Sequence, residues 1–143
     1  MAIWKQEATL EGLNNMNENT MGAALGIVFT EIGEDFLKAT MPVNANTVQP
    51  FRILHGGANV TLAETLGSVA STLCIADWTA KTAVGLEINA NHLKSVKEGS
   101  QVTGTCRPIR VGSQVHVWQI EIHNEKGDLS CVSRLTVAIV NRR

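Results

Sequence analysis

Cysteine is scarce in this chain of 143 residues. Cys74, Cys106 and Cys131 are widely spaced, which excludes a CxxC metal motif and offers no disulfide framework. Basic runs are missing too. No lysine or arginine run exceeds the terminal pair Arg142 and Arg143, and the net charge is −1, so no nucleic acid partner is expected. No uninterrupted apolar stretch approaches the roughly 18 residues of a membrane span, so no membrane partner is expected either. The opening MAIWKQEATLEGL lacks an apolar h-region and carries acids early, which argues against a signal or transit peptide. The cytoplasm is the expected compartment. What is present is an ordinary compact composition, 44% apolar and 17% charged, at a length suited to a single domain over residues 1–143.

Leu10, Leu13 and Met16 recur at helical intervals within residues 7–17, with Thr9 as a cap, predicting a short amphipathic helix. Two short strands follow, over 27–31 and 36–43, joined by a turn at Gly33-Glu34-Asp35. In the second, Leu37, Ala39 and Met41 alternate with Phe36, Lys38 and Thr40, the period of a half-buried strand. After a polar segment broken by Pro50, residues 57–76 run without proline. Val60, Ala63, Gly67, Ala70 and Cys74 form one small or apolar stripe, and Leu62, Leu66, Val69 and Leu73 form another. A helix apolar nearly all round is a buried central helix. Roughly twenty residues at 1.5 Å each span about 30 Å, enough to cross a small domain. Four strands are predicted beyond it, over 82–93, 101–111, 114–123 and 129–140, arranged as an antiparallel meander. The fold class is α+β, an antiparallel sheet wrapped around one long central helix.

The chemistry concentrates in QPFRILHGG, residues 49–57, and the helix that follows. Two glycines after a histidine leave N–H groups bare at a helix start, where unpaired donors and the helix dipole favour a developing oxyanion. Gly56 is the candidate donor. Glu64 is a carboxylate within an apolar helix that offers no lysine or arginine to pair with it, and burying it unpaired is costly. It reads either as a catalytic acid or as a partly exposed structural residue. Ser68, at i+4, can orient it. Gly56 and Glu64 are eight positions apart, about 12 Å along a helix, so one chain cannot bring both to one carbonyl. If they cooperate, Glu64 faces Gly56 of a second copy across a two-fold axis, and a homodimer with shared active sites is required.

At these residues the sequence resembles the hot-dog-fold acyl-CoA thioesterases, in the branch of the 1,4-dihydroxy-2-naphthoyl-CoA hydrolase and the enterobactin proofreading thioesterase. The resemblance runs nearly end to end: IWK, TLEGLN, LGI, ATMPV, QPF, LHGG, AETLGS, VGLEINANH and SRLTVA. HGG with a glutamate eight positions past its first glycine and QPF just ahead is its most specific part. It implies a hot-dog fold, dimers paired into a homotetramer, an acyl-CoA or aryl-CoA substrate, and hydrolysis without metal or other cofactor. It further implies Glu64 as nucleophile or general base, Gly56 as the N–H polarising the thioester carbonyl, and Gln49 and His55 as supporting polar groups. Ser68 matches the hydroxyl beside the glutamate, and His92 a histidine lining the acyl pocket. Phe51 and Arg52 are candidate substrate contacts. Leu93-Lys94-Ser95 stands where relatives often carry His-Arg-Pro, and Arg52 where they carry a small residue.

Competing readings attach to several residues. His55 reads as a catalytic or as a capping group, and His92 as a ligand contact or a structural histidine. Arg52 is a cation near the entrance, against CoA phosphate or only solvated. Lys94, Arg107 and Arg110 read more readily as strand-end charges than as phosphate ligands. Cys74 is expected in the core, His116 and His123 to be structural or exposed, and Trp4 and Trp118 to be packing anchors. Two other functions share the same residues: an acyl-thioester dehydratase or hydratase using His55 on the substrate β-carbon, and a non-catalytic acyl-CoA binding module.

Overall fold

The computed structural model describes residues 1–143. Helix α1 (Leu10–Met16) begins where Thr9 accepts the Gly12 N–H at 3.0 Å, so the cap lies where the sequence suggests but the helix is shorter. A one-turn helix, α2 (Met21–Ala24), was not anticipated; Thr20 caps it by accepting the Ala23 N–H. Strands β1 (Val28–Ile32) and β2 (Leu37–Pro42) pair antiparallel, and the Gly33 N–H donates to the Phe36 carbonyl at their turn. Leu37, Ala39 and Met41 are fully buried, as the alternation predicts.

The long helix α3 (Gly56–Leu73) ends three residues before the expected boundary. Cys74 closes it through N–H bonds to Ala70 and Ser71 carbonyls, and Asp77 then folds a turn by accepting the Thr79 and Ala80 N–H groups. The expectation that α3 is buried all round is corrected. Leu62, Ala63, Leu66, Gly67 and Ala70 face the sheet and are buried, whereas Val60, Glu64, Thr65, Ser68 and Val69 are only half-covered. A single sheet covers one side of a helix. Cys74 is likewise half-buried rather than in the core. Close approach of α3 to the sheet rests on two glycines: a Cβ at Gly104 would meet Leu66, and one at Gly67 would meet Leu135.

Strands β3 (Lys81–His92), β4 (Gln101–Val111), β5 (Val115–His123) and β6 (Leu129–Asn141) complete a six-stranded antiparallel sheet in the order β1-β2-β4-β5-β6-β3. This corrects the expected meander. Of the four strands after α3 only β4-β5-β6 run consecutively; β4 returns to pair with β2, while β3 lies at the far edge beside β6. On β5 the inward residues His116, Trp118, Ile120 and Ile122 are buried. Trp118 stacks on Trp4 at 6.4 Å between ring centroids, and Trp4 donates to the Gly33 carbonyl, tying the N-terminal segment to the sheet. Strand β3 pairs on one side only, and Val84 (44%) and Leu86 (61%) are exposed along it. An open apolar edge of twelve residues is a surface that folded chains cover.

Candidate active site

The start of α3 is built by His55. Its backbone is extended, its carbonyl accepts the N–H groups of Ala58 and Asn59, and its Nδ1 accepts the Gly57 N–H at 2.8 Å. Gly56 is left as the residue of this turn whose N–H has no acceptor in the chain. The segment before it is pinned by bonds from His55 N–H to the Thr47 carbonyl and from Leu54 N–H to the Val96 carbonyl.

Beside that free donor is a cavity of about 310 Å³, whose walls include Gln49, Leu54, Gly56, Asn59, His92 and Val96. A Cβ on Gly56 would come within 2.8 Å of His92 Nε2, so glycine is what lets the imidazole of β3 lie over the helix start. The other ring nitrogen, Nδ1, is 3.3 Å from Asn59 Nδ2. The buried Asn59 Oδ1 has no partner in the chain. Gln49 accepts the Phe51 N–H through Oε1, which leaves its amide NH₂ without an acceptor.

Glu64 lies elsewhere. It is half-buried, has neither a hydrogen bond nor an ion pair within the chain, and lines neither the Gly56 cavity nor the next one described. Its Oε1 lies against β3, 2.9 Å from where a Cβ on Gly85 would stand. The expected bond from Ser68 to Glu64 is absent, because the carboxylate turns toward β3 and away from its own helix. Ser68 instead lines a second cavity, about 330 Å³, with Leu13, Met16, Val69, Thr72 and Trp78.

Of the sequence candidates, then, Gln49, Gly56 and His92 come together, His55 supports them as a cap, and Glu64 and Ser68 stand apart. Phe51 and Arg52 do not join the cluster. Phe51 is 86% exposed, projecting from the turn before Ile53. Arg52 is neither free nor merely solvated: its Nε and Nη2 reach both oxygens of Glu98 at 2.7 and 2.6 Å. That pairing raises the guanidinium pKa and lowers that of Glu98. Lys94 pairs with Asp128 and Arg107 with Asp35, in line with strand-end charges. Burial pushes the thiols of Cys74 and Cys131 up to about 11, so neither carries thiolate at neutral pH. Asn59 and Gly85 were missed. Asn59 was legible as a lone amide on the inward side of the helix, and Gly85 as a glycine interrupting a long strand.

A sheet covering a long helix, with a bare N–H at the helix start and a carboxylate two turns on, fits a hydrolase of activated acyl groups. The comparisons make this specific. Residues 51–131 match the model of the thioesterase superfamily. The chain is 56% identical to 1,4-dihydroxy-2-naphthoyl-CoA hydrolase of Escherichia coli K12, over 96% of this chain and 99% of that one. It is 49% identical to the proofreading thioesterase EntH of Cronobacter sakazakii, over 96% of this chain and 98% of that one. Among solved structures it superposes on thioesterase HI1161 of Haemophilus influenzae with a TM-score of 0.92 and 50% identity, covering 97% and 95% of the two chains. A mutant of thioesterase PA1618 from Pseudomonas aeruginosa gives 0.95 and 45%, covering 99% and 100%. The chain belongs to the thioesterase superfamily and has its hot-dog fold.

Proposed function

We propose that this thioesterase hydrolyses acyl-CoA thioesters, aryl-CoA esters foremost, at a site shared between two copies of the chain. The observation that carries the reading is the separation of the two reactive groups. The free N–H is at Gly56 under His92, while the Glu64 carboxylate is turned to the open β3 edge beside Gly85. Pairing two β3 edges about a two-fold axis would continue the sheet, cover Val84 and Leu86, and bring each Glu64 toward the Gly56 cavity of the other copy. Dimers pairing further into a homotetramer is part of the same proposal, carried by the family resemblance.

In this reading the thioester carbonyl oxygen accepts the Gly56 N–H, with His92 and the Gln49 amide as further donors. Such donors stabilise the negative charge that grows on that oxygen. Glu64 either removes a proton from water as it adds to the carbonyl carbon or adds itself to form an anhydride that water then opens. In both routes the C–S bond breaks and CoA departs as thiolate. It receives a proton from the attacking water, passed on by Glu64 in the first route and released when the anhydride opens in the second, and the acid is released. His55 reads as a cap: its Nδ1 accepts the Gly57 N–H and ties the ring to the helix start, which weighs against the dehydratase alternative. The aryl preference draws on the E. coli hydrolase and on the groove beside Ser68, where Leu13, Met16, Val69 and Trp78 supply apolar walls. A cytoplasmic site of action is supported by three free cysteines; no helix is long and apolar enough to cross a membrane.

The test is CoA release from benzoyl-, naphthoyl- and straight-chain CoA esters by the native chain and by Glu64→Gln. Release from the native chain and loss of more than about tenfold in the variant, roughly 1.4 kcal/mol of barrier, support the reading. Release that survives the substitution removes Glu64 from the mechanism. Binding without release makes the protein a carrier, and an enoyl absorbance change makes it a dehydratase.

A further inference from the structure

Gly85 interrupts the long strand β3, and its backbone does not require glycine. Positive φ angles occur at Gly26, Gly99 and Gly127, not at Gly85. Glycine within a strand weakens it relative to alanine, so a glycine that the backbone does not need points to something approaching closely. Here the approaching group is known. A Cβ built at 85 would have neighbours within 4 Å from one residue alone, Glu64, with Oε1 at 2.9 Å and Cδ at 3.9 Å. Gly85 pairs with Val137 of β6, which is fully buried, so position 85 is directed to the helix-bearing face of the sheet. The β3–β6 register then shifts between Gly85 and Glu87, bending the strand at the point where the carboxylate rests.

We propose that Gly85 is a positioning residue for Glu64: the missing side chain is the seat that holds the carboxylate against β3, aimed at the neighbouring copy's cavity. The proposal rests on the reading of Glu64 as the catalytic carboxylate. A methyl group at 85 would meet only the far end of a flexible side chain, and that end can swing away without disturbing the core. The fold therefore tolerates alanine while the carboxylate loses its place. Stability and turnover separate at this position, which a merely structural glycine would not allow.

The experiment uses Gly85→Ala in the full chain, with benzoyl-CoA as substrate, followed by kcat, KM and thermal melting. The expected result is a kcat about 10- to 100-fold lower, the scale of a misplacement near 1 Å, with KM within about twofold. The melting temperature stays equal or rises, since alanine restricts the unfolded chain more than glycine. Coupling is read in the Glu64→Asp background, where the carboxylate is one methylene shorter and stops short of the seat. There Gly85→Ala should cost about twofold or less, because the two changes act through one contact. A kcat within about twofold of native, an equal cost in both backgrounds, or a fall in activity that follows a fall in melting temperature each overturns the proposal. Glu64→Gln is assayed alongside. If it stays active, the catalytic reading itself has failed. If it is inactive while Gly85→Ala is fully active, the positioning proposal alone has failed.

Discussion

His55 Nδ1 accepts the Gly57 N–H at 2.8 Å, and this bond separates the two glycines of the helix start into a capped donor and a free one. If the histidine serves only as this cap, it acts on catalysis through the helix. His55→Ala should fray the first turn, cost about 1 kcal/mol of stability and lower turnover through the displaced Gly56 N–H. His55→Asn, a good capping residue, should recover most of both. Melting curves and CoA release on the two variants check this. An asparagine variant as inactive as the alanine one would give the imidazole a chemical role.

Sharing of each site between copies is tested by mixing. Glu64→Gln and Gly56→Val chains, the latter with a Cβ that would collide with His92, should each be inactive alone. Unfolded, combined and refolded, they form mixed dimers with one site carrying both defects and one carrying neither. If half the dimers are mixed, activity should return to about a quarter of native. No recovery from mixed dimers shown to be folded removes the shared-site model.

Ser71 joins α3 to β5: its Oγ accepts from Trp118 Nε1 at 2.7 Å and lies 3.0 Å from His116 Nδ1, all three side chains buried. Ser71→Ala should cost about 1–3 kcal/mol for the polar groups it orphans, read in a denaturant melt.

Burial lowers the His116 pKa from its ordinary 6.5, against a smaller upward pull from the Gly112 backbone. The unfolded chain therefore binds the proton more readily than the folded one. This contribution to stability is complete above pH 6.5 and is lost as pH falls through the lower folded value. Melting temperature should decline on acidification below that point, and His116→Gln should flatten the decline. An unchanged slope in the variant would assign the acid sensitivity to other groups.

Arg52 is already held at two guanidinium nitrogens, Nε and Nη2, by Glu98. Arg52→Ala should therefore change KM for acyl-CoA esters by less than about threefold, the small effect of an exposed pair. A tenfold or larger rise would restore Arg52 as a CoA contact.

Much of this was open to reading in the amino-acid sequence, for local reasons. Strand β4 falls on the predicted residues and β5 and β6 within one of theirs, because alternation and turn residues act over a few positions. The HGG segment announced a helix start with bare donors because glycine and a capping side chain do so in any context. The order of strands was not open in that way. Which strand lies beside β2, and which takes the edge, depends on how one sheet covers one face of α3, a choice made by residues far apart in the chain. The same holds for the site. Nothing local tells Gly85 that Glu64, twenty-one positions earlier, will rest upon it, or turns the carboxylate from Ser68 one helical turn away toward β3. The sequence determined which groups could do the chemistry; packing of α3 against β3 decided where each of them points, because a side chain goes where the opposite surface leaves room.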